Sequence, residues 1–152
     1  MTETEPSHQR ADVNEEALPF LRRRIVDMLP ARRVTAKLIA ENIAFGAAVL
    51  GSGHIELVDD GPWWFIASEF NWLGASKAAE SEVELFERLV PFPEQSRMGH
   101  RAEIYVTAFA DHAYFRIGDS VTWIRGEPIA GGLPDEGVTP PWCDNVLAFR
   151  LP

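Results

Sequence analysis

One cysteine and four histidines are the side chains of this 152-residue chain best suited to nucleophilic or metal chemistry. Cysteine catalysis needs a histidine base held beside the thiolate, and no local pattern places a histidine near Cys143. A lone cysteine between Trp142 and Asp144 is more often a small buried apolar side chain. The G-x-S-x-G nucleophile motif is also missing. The sequence therefore predicts no catalytic residue.

A metal site would need several ligands on one side of an element, and the candidates for it are weak. His100 and Glu103 have the H-x-x-E spacing that would share one face of a helix. The segment that follows favours a strand, however, where positions i and i+3 point to opposite faces. The glycine-rich stretch 46–53 lacks a lysine and follows a predicted helix, whereas phosphate loops precede one. We predict neither a metal nor a cofactor.

One polar loop concentrates cations in an otherwise acidic chain. Ser96, Arg97, His100 and Arg101 lie within six residues, and arginine suits bidentate recognition of carboxylate or phosphate. Together with Trp123 they form a candidate site for a small anionic ligand. The alternative is that these arginines neutralise the protein's own acids.

Aromatic side chains could carry recognition of a partner. Trp63, Trp64 and Trp72 lie close together in the sequence, and tryptophan is enriched where proteins bind one another. Aromatic residues on strands are more often part of a core. We keep these three tryptophans as candidate partner-binding residues, with the core as the alternative.

The net charge of −9 is concentrated in the middle of the chain. Residues 51–95 hold nine acids against two bases, and four of these acids are Glu80, Glu82, Glu84 and Glu87. Such a field opposes nucleic-acid binding, which needs cations opposite phosphates, and it suits a basic protein partner. The alternatives are ordinary solvation and acids favoured in the first turns of a helix.

Composition points to one cytoplasmic domain. No apolar run approaches the length of a membrane span, and residues 1–16 lack the features of a secretory signal. The single cysteine cannot form an intramolecular disulfide. We expect a disordered tail over residues 1–11 and one domain over residues 12–152.

Three helices are predicted from periodicity and capping patterns. For the first, the spacing of Asp12 and Glu15 fits a capping box with the helix starting near Asn14. Pro19 is tolerated only in a first helical turn, which moves the expected helix to Leu18–Leu29. The second runs from Ala36 to about Leu50, with Thr35 as its N-cap and a glycine ending it. The third follows the capping-box pattern Ser81-x-x-Glu84 and ends before Pro91.

Two aromatic-rich β-hairpins, residues 54–73 and 102–126, supply most of the predicted sheet. Turn residues 59–62 divide the first hairpin, whose second strand is apolar on both faces. A long glycine- and proline-rich loop follows over residues 126–143, and loops of that length are functional or disordered. Residues 145–151 predict a last strand at an edge of the sheet.

These elements predict an α+β fold, with about three helices packed on an antiparallel sheet of about four to six strands. We favour a non-enzymatic, cytoplasmic protein that recognises another protein through an acidic surface, which suits a basic partner. Its sharper form is a bacterial immunity- or antitoxin-like inhibitor. One alternative is a small-molecule or enzymatic domain with a pocket between the aromatic sheet face and residues 126–143. The other is a homodimer that buries an aromatic face.

Overall fold

The computed structural model describes residues 7–29, 33–95 and 99–152, which form six strands and four helices. One mixed sheet carries the helices on one face, which confirms the predicted α+β class. The strands are β1 (Ser7–Arg10), β2 (Ile55–Asp60), β3 (Trp63–Ser68), β4 (His112–Ile117), β5 (Ser120–Arg125) and β6 (Asn145–Arg150). The helices are α1 (Leu18–Met28), α2 (Ala36–Val49), α3 (Glu84–Glu87) and α4 (Glu103–Phe109). None of the helices in the described ranges is long and apolar enough to cross a bilayer.

The strand order across the sheet is β1-β5-β4-β6-β3-β2, and every pair is antiparallel except β1 with β5. The predicted edge position of the last strand is wrong, because β6 lies between β4 and β3. Five of its six residues are buried, since apolar side chains on both faces are best accommodated in the middle of a covered sheet. The strands left at the edges of the described sheet are β1 and β2.

The first two helices end within one residue of their predicted limits. Thr35 caps α2, because its Oγ1 accepts the backbone N–H of Leu38 at 3.1 Å. Gly51 ends α2 at a φ of 117°, and the next N–H bonds to the carbonyl of Ala47 at 3.0 Å. The capping box predicted for Asp12 and Glu15 is absent. The backbone N–H of Asp12 donates to Glu87 instead, and the Glu15 carboxylate pairs with Arg125.

The third helix is much shorter than predicted. Only Glu84–Glu87 are helical, and Ser81 is not its cap. The Glu84 carboxylate instead accepts the backbone N–H of Glu80 at 2.5 Å and the Arg88 guanidinium at 3.0 Å. The predicted helix start at Ser81 is therefore wrong. The Glu84 carboxylate closes the turn before the helix by accepting backbone N–H groups, with Glu80 as the main donor and Ser81 as a weaker one.

The first strand of the second predicted hairpin is a helix. Residues Glu103–Phe109 form α4, and the hairpin consists of β4 and β5 joined at Gly118-Asp119. Its isoleucine, tyrosine, valine, threonine and phenylalanine favour strands, but α4 is buried against α1 and α3. Tertiary packing therefore outweighs local propensity. The Thr107 hydroxyl also donates to the carbonyl of Phe86 at 2.6 Å, which fixes α4 to α3.

The end of the predicted N-terminal tail is ordered. Ser7–Arg10 form β1 alongside β5, and the backbone N–H of Ala11 donates to the carbonyl of Trp123 at 2.8 Å. The prediction of disorder is wrong for residues 7–10, because their backbone groups find hydrogen-bond partners on β5. A composition-based prediction does not include such distant partners. Residues 1–6 of the predicted tail lie outside the described ranges.

Two apolar clusters cover the two faces of the sheet. The helix-side cluster includes Ile66, Phe115 and Phe149 from the strands and Ile43 and Phe86 from the helical layer. On the opposite face the strands contribute Trp63, Phe65, Tyr114, Trp123 and Val146. Residues 126–143, which we call the strap, bring Leu133, Val138 and Cys143 against that second face. The chain therefore covers its own aromatic face.

Candidate functional site

Most of the aromatic candidates are internal. Trp72 is fully buried, and its indole N–H donates to a carboxylate oxygen of Glu103 at 3.0 Å. Trp63 is 9% exposed and Trp123 is 1% exposed. Among the three tryptophans predicted to bind a partner, Trp64 alone is half-buried rather than buried. The expectation for Trp63 and Trp72 is corrected to a core role, because Trp63 packs in the strap-side cluster and Trp72 in the helix-side cluster.

The predicted acidic surface is largely engaged within the fold. A Glu82 oxygen accepts the side-chain amide of Asn71 at 3.2 Å, and a Glu87 oxygen accepts the backbone N–H of Asp12 at 2.6 Å. The N–H of Glu80 and the Arg88 guanidinium lower the pKa of Glu84. The side chain of Glu80 is exposed. Three of these four acids therefore hold local structure. Glu84 is also neutralised by Arg88, whereas Glu82 and Glu87 accept from neutral donors and keep their charge.

Arg101 is part of a buried ion pair rather than an open anion site. Its guanidinium is 2% exposed and bonds both carboxylate oxygens of Glu103, at 3.0 and 2.8 Å. The same guanidinium lies over the Phe92 ring, 5.1 Å from its centre. Arg101 thus neutralises one of the protein's own acids, as the alternative interpretation expected. Ser96 and Arg97 lie outside the described residues.

His100 lines a cleft of about 210 Å³ between α2 and the start of α4. Asn42, Phe92 and Tyr105 contribute to its walls. Burial lowers the pKa of His100, and the charge of Arg24 lowers it further. Its Nε2 is buried without a hydrogen-bond partner among the described residues. The imidazole is therefore neutral near pH 7 and has one ring nitrogen available for a bond.

The strap fills the space in which a pocket against the aromatic face was expected. The Tyr114 hydroxyl donates to the Asp135 carboxylate, and the Arg116 guanidinium binds the same carboxylate at 2.9 and 3.2 Å. Burial and the Asp135 charge raise the pKa of Tyr114, so the hydroxyl stays protonated. A cleft of about 390 Å³ lies beside the strap, but its lining includes Asp119, Asp135 and Asp144 and no aromatic residue.

Arg101 and Trp123, two residues of the predicted anion-binding site, lie on opposite faces of the sheet. Trp123 belongs to the strap-side cluster, whereas Arg101 contacts Trp72 and Phe92 of the helix side. The structure therefore does not bring Arg101 and Trp123 into one site. The homodimer alternative was based on an aromatic face that needed a second copy to cover it. Residues of the same chain cover that face.

Cys143 lies under the strap with 3% of its surface exposed. Its thiol donates to the carbonyl of Pro140 at 2.8 Å, and burial raises its pKa. A raised pKa disfavours the reactive thiolate. The described residues also include no cluster of three or more histidine, cysteine or acidic side chains placed to hold a metal ion.

Strand β2 forms an open edge of the described sheet, and we call residues 55–60 the β2 edge. Gly61 and Pro62 join β2 to β3, and the register pairs Asp60 with Trp63. Residues flanking a two-residue loop form a hydrogen-bonded pair, and pairing alternates along the strand. The backbone groups of Glu56, Val58 and Asp60 therefore bond β3, whereas those of Ile55, Leu57 and Asp59 point away from it.

The β2 edge also carries acidic side chains on both of its faces. Asp59 and Asp60 are exposed, and Glu56 is half-buried, 3.7 Å from the imidazole of His54. Neither aspartate forms a salt bridge within the described residues. Asp59 shares the helix side with Leu57, which is 37% exposed, while Asp60 and Glu56 share the strap side.

Sequence comparison adds no functional assignment. Neither protein-family models, curated proteins nor solved structures contain a significant match to this chain. Any role of the β2 edge must therefore be inferred from its own residues and backbone groups. Asp59 and Asp60 fall in the predicted turn over residues 59–62, whereas the structure places both in β2. The open edge could not be predicted, because it depends on strand order over the whole chain.

Proposed function

We propose that this protein binds another protein, and that a basic segment of the partner lies against the β2 edge. The observation that carries the proposal is the contrast between two sets of acids. Glu82, Glu84 and Glu87 accept hydrogen bonds inside the fold, whereas Asp59 and Asp60 are exposed on an open edge.

Electrostatics and edge chemistry support the same surface. Complementary charge raises association rates and disfavours wrong partners, and the local field of residues 51–95 is negative. A strand edge additionally offers backbone donors and acceptors in a row. The proposal in its sharper form is an immunity- or antitoxin-like inhibitor, which requires that the activity of the partner falls in the complex.

Affinity capture from a lysate of the source organism tests the proposal when matched charge variants serve as bait. The test variant is Asp59→Lys with Asp60→Lys. The control is Glu80→Lys with Glu94→Lys, which makes the same charge change at exposed positions away from the edge. Bound proteins are identified by mass spectrometry at low and moderate salt.

We expect one basic protein to be captured by the unchanged chain and by the control, and lost with the Asp59/Asp60 variant. Loss of about tenfold in affinity, or 1.4 kcal/mol, would deplete it visibly. Equal capture by all three baits would contradict the proposal. A purified complex then allows the activity of the partner to be measured with and without this chain, which tests the inhibitor form.

A second candidate function is binding of a small polar molecule in the His100 cleft. It is favoured by the buried Nε2, which has no partner among the described residues. A buried polar atom without a partner costs about 1–3 kcal/mol, which a ligand bond would recover. A metabolite library screened by thermal shift, with His100→Phe as the control, tests it; a stabilising compound that acts equally on both proteins would contradict binding at His100.

A further inference from the structure

We infer that the partner adds a β-strand to the β2 edge, so that the six-stranded sheet continues into the bound protein. This inference rests on the proposed function and specifies how the partner binds. Three residues, Ile55, Leu57 and Asp59, present their backbone groups outward from the last described strand. Strand addition satisfies such groups with the same ladder that joins strands within a sheet.

The length of β2 and its packing against α2 suit the addition of a strand. β2 has six residues paired in continuous register with β3, and α2 packs against both strands. A strand that is paired along one side and packed against a helix on one face is held in an extended conformation. Binding therefore requires little ordering of the edge itself, and a preorganised site loses less conformational entropy on association.

The side chains of the β2 edge select a basic strand over a second copy of this chain. Antiparallel self-pairing centred on Leu57 would make Glu56 of each copy a diagonal neighbour of Glu56 and Asp60 of the other. Such neighbours lie about 7–8 Å apart, within reach of long side chains, and like charges at that distance repel. Acidic residues at an open edge thus disfavour self-association. The same charges attract lysine or arginine on an incoming strand.

The alternation of the edge specifies where those cations must lie. In an antiparallel arrangement, the partner residues opposite Asp60 and Asp59 should be basic, and so should the residue opposite Glu56. Apolar or β-branched residues fit opposite Val58, Leu57 and Ile55, because Leu57 is partly exposed and the other two are half-buried. Read from the partner residue opposite Asp60 to the one opposite Ile55, the expected order is basic, basic, two apolar or β-branched residues, basic, and one apolar or β-branched residue.

A synthetic peptide with this pattern, Lys-Lys-Val-Thr-Lys-Val with blocked termini, provides the probe. Amide hydrogen exchange of the full chain is followed by NMR with and without the peptide. We expect new protection at the amides of Ile55, Leu57 and Asp59, because these point to the added strand. Those of Glu56, Val58 and Asp60 already bond β3 and should change little.

Backbone methylation of the peptide separates strand pairing from simple charge attraction. Methyl groups on the second, fourth and sixth amide nitrogens block the donors that face β2, whereas methyl groups on the first, third and fifth point away. Both peptides keep the same charge. We expect protection with the second peptide and none with the first. Equal effects of the two peptides, or no protection with the unmethylated one, would overturn strand addition.

A protein variant separates this inference from the proposed function. Leu57→Pro removes an N–H that faces the open edge and leaves the bonds to β3 in place, a position where edge strands tolerate proline. Leu57→Ala keeps the N–H and is the control. If the Asp59/Asp60 reversal abolishes partner capture while a folded Leu57→Pro variant captures as well as Leu57→Ala, strand addition is wrong and protein binding stands. If neither change reduces capture, both proposals fail.

Discussion

Asp135 fixes the strap to the sheet through two side chains at once. Its carboxylate is 2% exposed, accepts the Tyr114 hydroxyl and is paired with Arg116, while its own backbone N–H donates to the Tyr114 oxygen at 3.1 Å. These bonds place a charge inside the fold only because a cation and two hydrogen bonds compensate it. The aromatic face is therefore closed by a specific polar contact as well as by apolar packing.

Replacing Asp135 should destabilise the protein strongly. Asp135→Ala leaves the buried Tyr114 hydroxyl and the Arg116 guanidinium without their partner, and we expect a loss of about 3 kcal/mol in the free energy of unfolding. Asp119→Ala, at an exposed position beside the same cleft, should cost less than about 0.5 kcal/mol. Urea denaturation measures both; similar losses for the two variants would contradict the role of Asp135.

Asp111 should make stability depend on acid pH. Hydrogen bonds from Arg150 lower the pKa of Asp111 below 3.8, against a smaller opposing effect of burial. Because the folded-state pKa is the lower one, the contribution is present above the unfolded value and is lost as pH falls through the folded value. The pair is about one-third exposed, so the effect should stay below about 1 kcal/mol.

Asp111→Asn tests this dependence. The variant should be less stable than the unchanged chain at pH 7, and the difference should shrink as pH falls through the lowered folded-state pKa of Asp111. Unfolding by urea across this range provides the measurement. A difference that stayed constant with pH would show that the aspartate acts through its shape and neutral hydrogen bonds alone.

At the scale of elements, Gly126 determines how the strap leaves β5. Its φ is 74°, and a Cβ there would lie 2.9 Å from the Asp111 carbonyl oxygen and 2.5 Å from the His112 ring. Gly118, in the β4–β5 turn, has a φ of 58° and open space around it. Both positions favour glycine, but only Gly126 also has crowded surroundings.

Alanine substitution should therefore distinguish the two turns. Gly118→Ala should cost about 1 kcal/mol from backbone strain alone. Gly126→Ala should cost about 2–4 kcal/mol, because overpacking against a backbone oxygen adds to that strain. Thermal unfolding of the two variants measures the difference, and equal losses would argue against tight packing at the exit of the strap.

Elements with strong local signals could be predicted from the sequence, and those shaped by distant contacts could not. Thr35 and Gly51 mark the ends of α2, and residues 59–62 mark the first hairpin, because capping and turn chemistry act within a few residues. The strand-like composition of α4 gave the wrong element, since its burial against α1 and α3 decides its conformation.

The candidate site shows the same limit. The acidity of the middle of the chain is visible in the sequence, but which acids are available depends on bonds such as those from Asn71 to Glu82 and from Asp12 to Glu87. The edge position of β2 follows from β6 pairing with β3, two strands almost eighty residues apart. Neither fact has a local signature.

At the scale of the whole molecule, the sheet has one face under helices, one face under the strap, and an acidic open edge at β2. Covering both faces leaves the two edges, β1 and β2, as the places where the described sheet itself can meet another chain, and β2 is the one with exposed aspartates. A net charge of −9 gives any two copies a mutual electrostatic repulsion. We propose that the acidic open edge at β2 binds a basic partner.

The most direct test of this account is the dissociation constant of the captured partner, measured by calorimetry at low and physiological salt. For the unchanged chain and the Glu80→Lys/Glu94→Lys control, we predict similar affinities that weaken as salt rises, because charge complementarity drives encounter. For Asp59→Lys/Asp60→Lys we predict at least about tenfold weaker binding at low salt and a smaller salt dependence. Unchanged affinity for that variant, with the control equally tight, would contradict binding at the β2 edge.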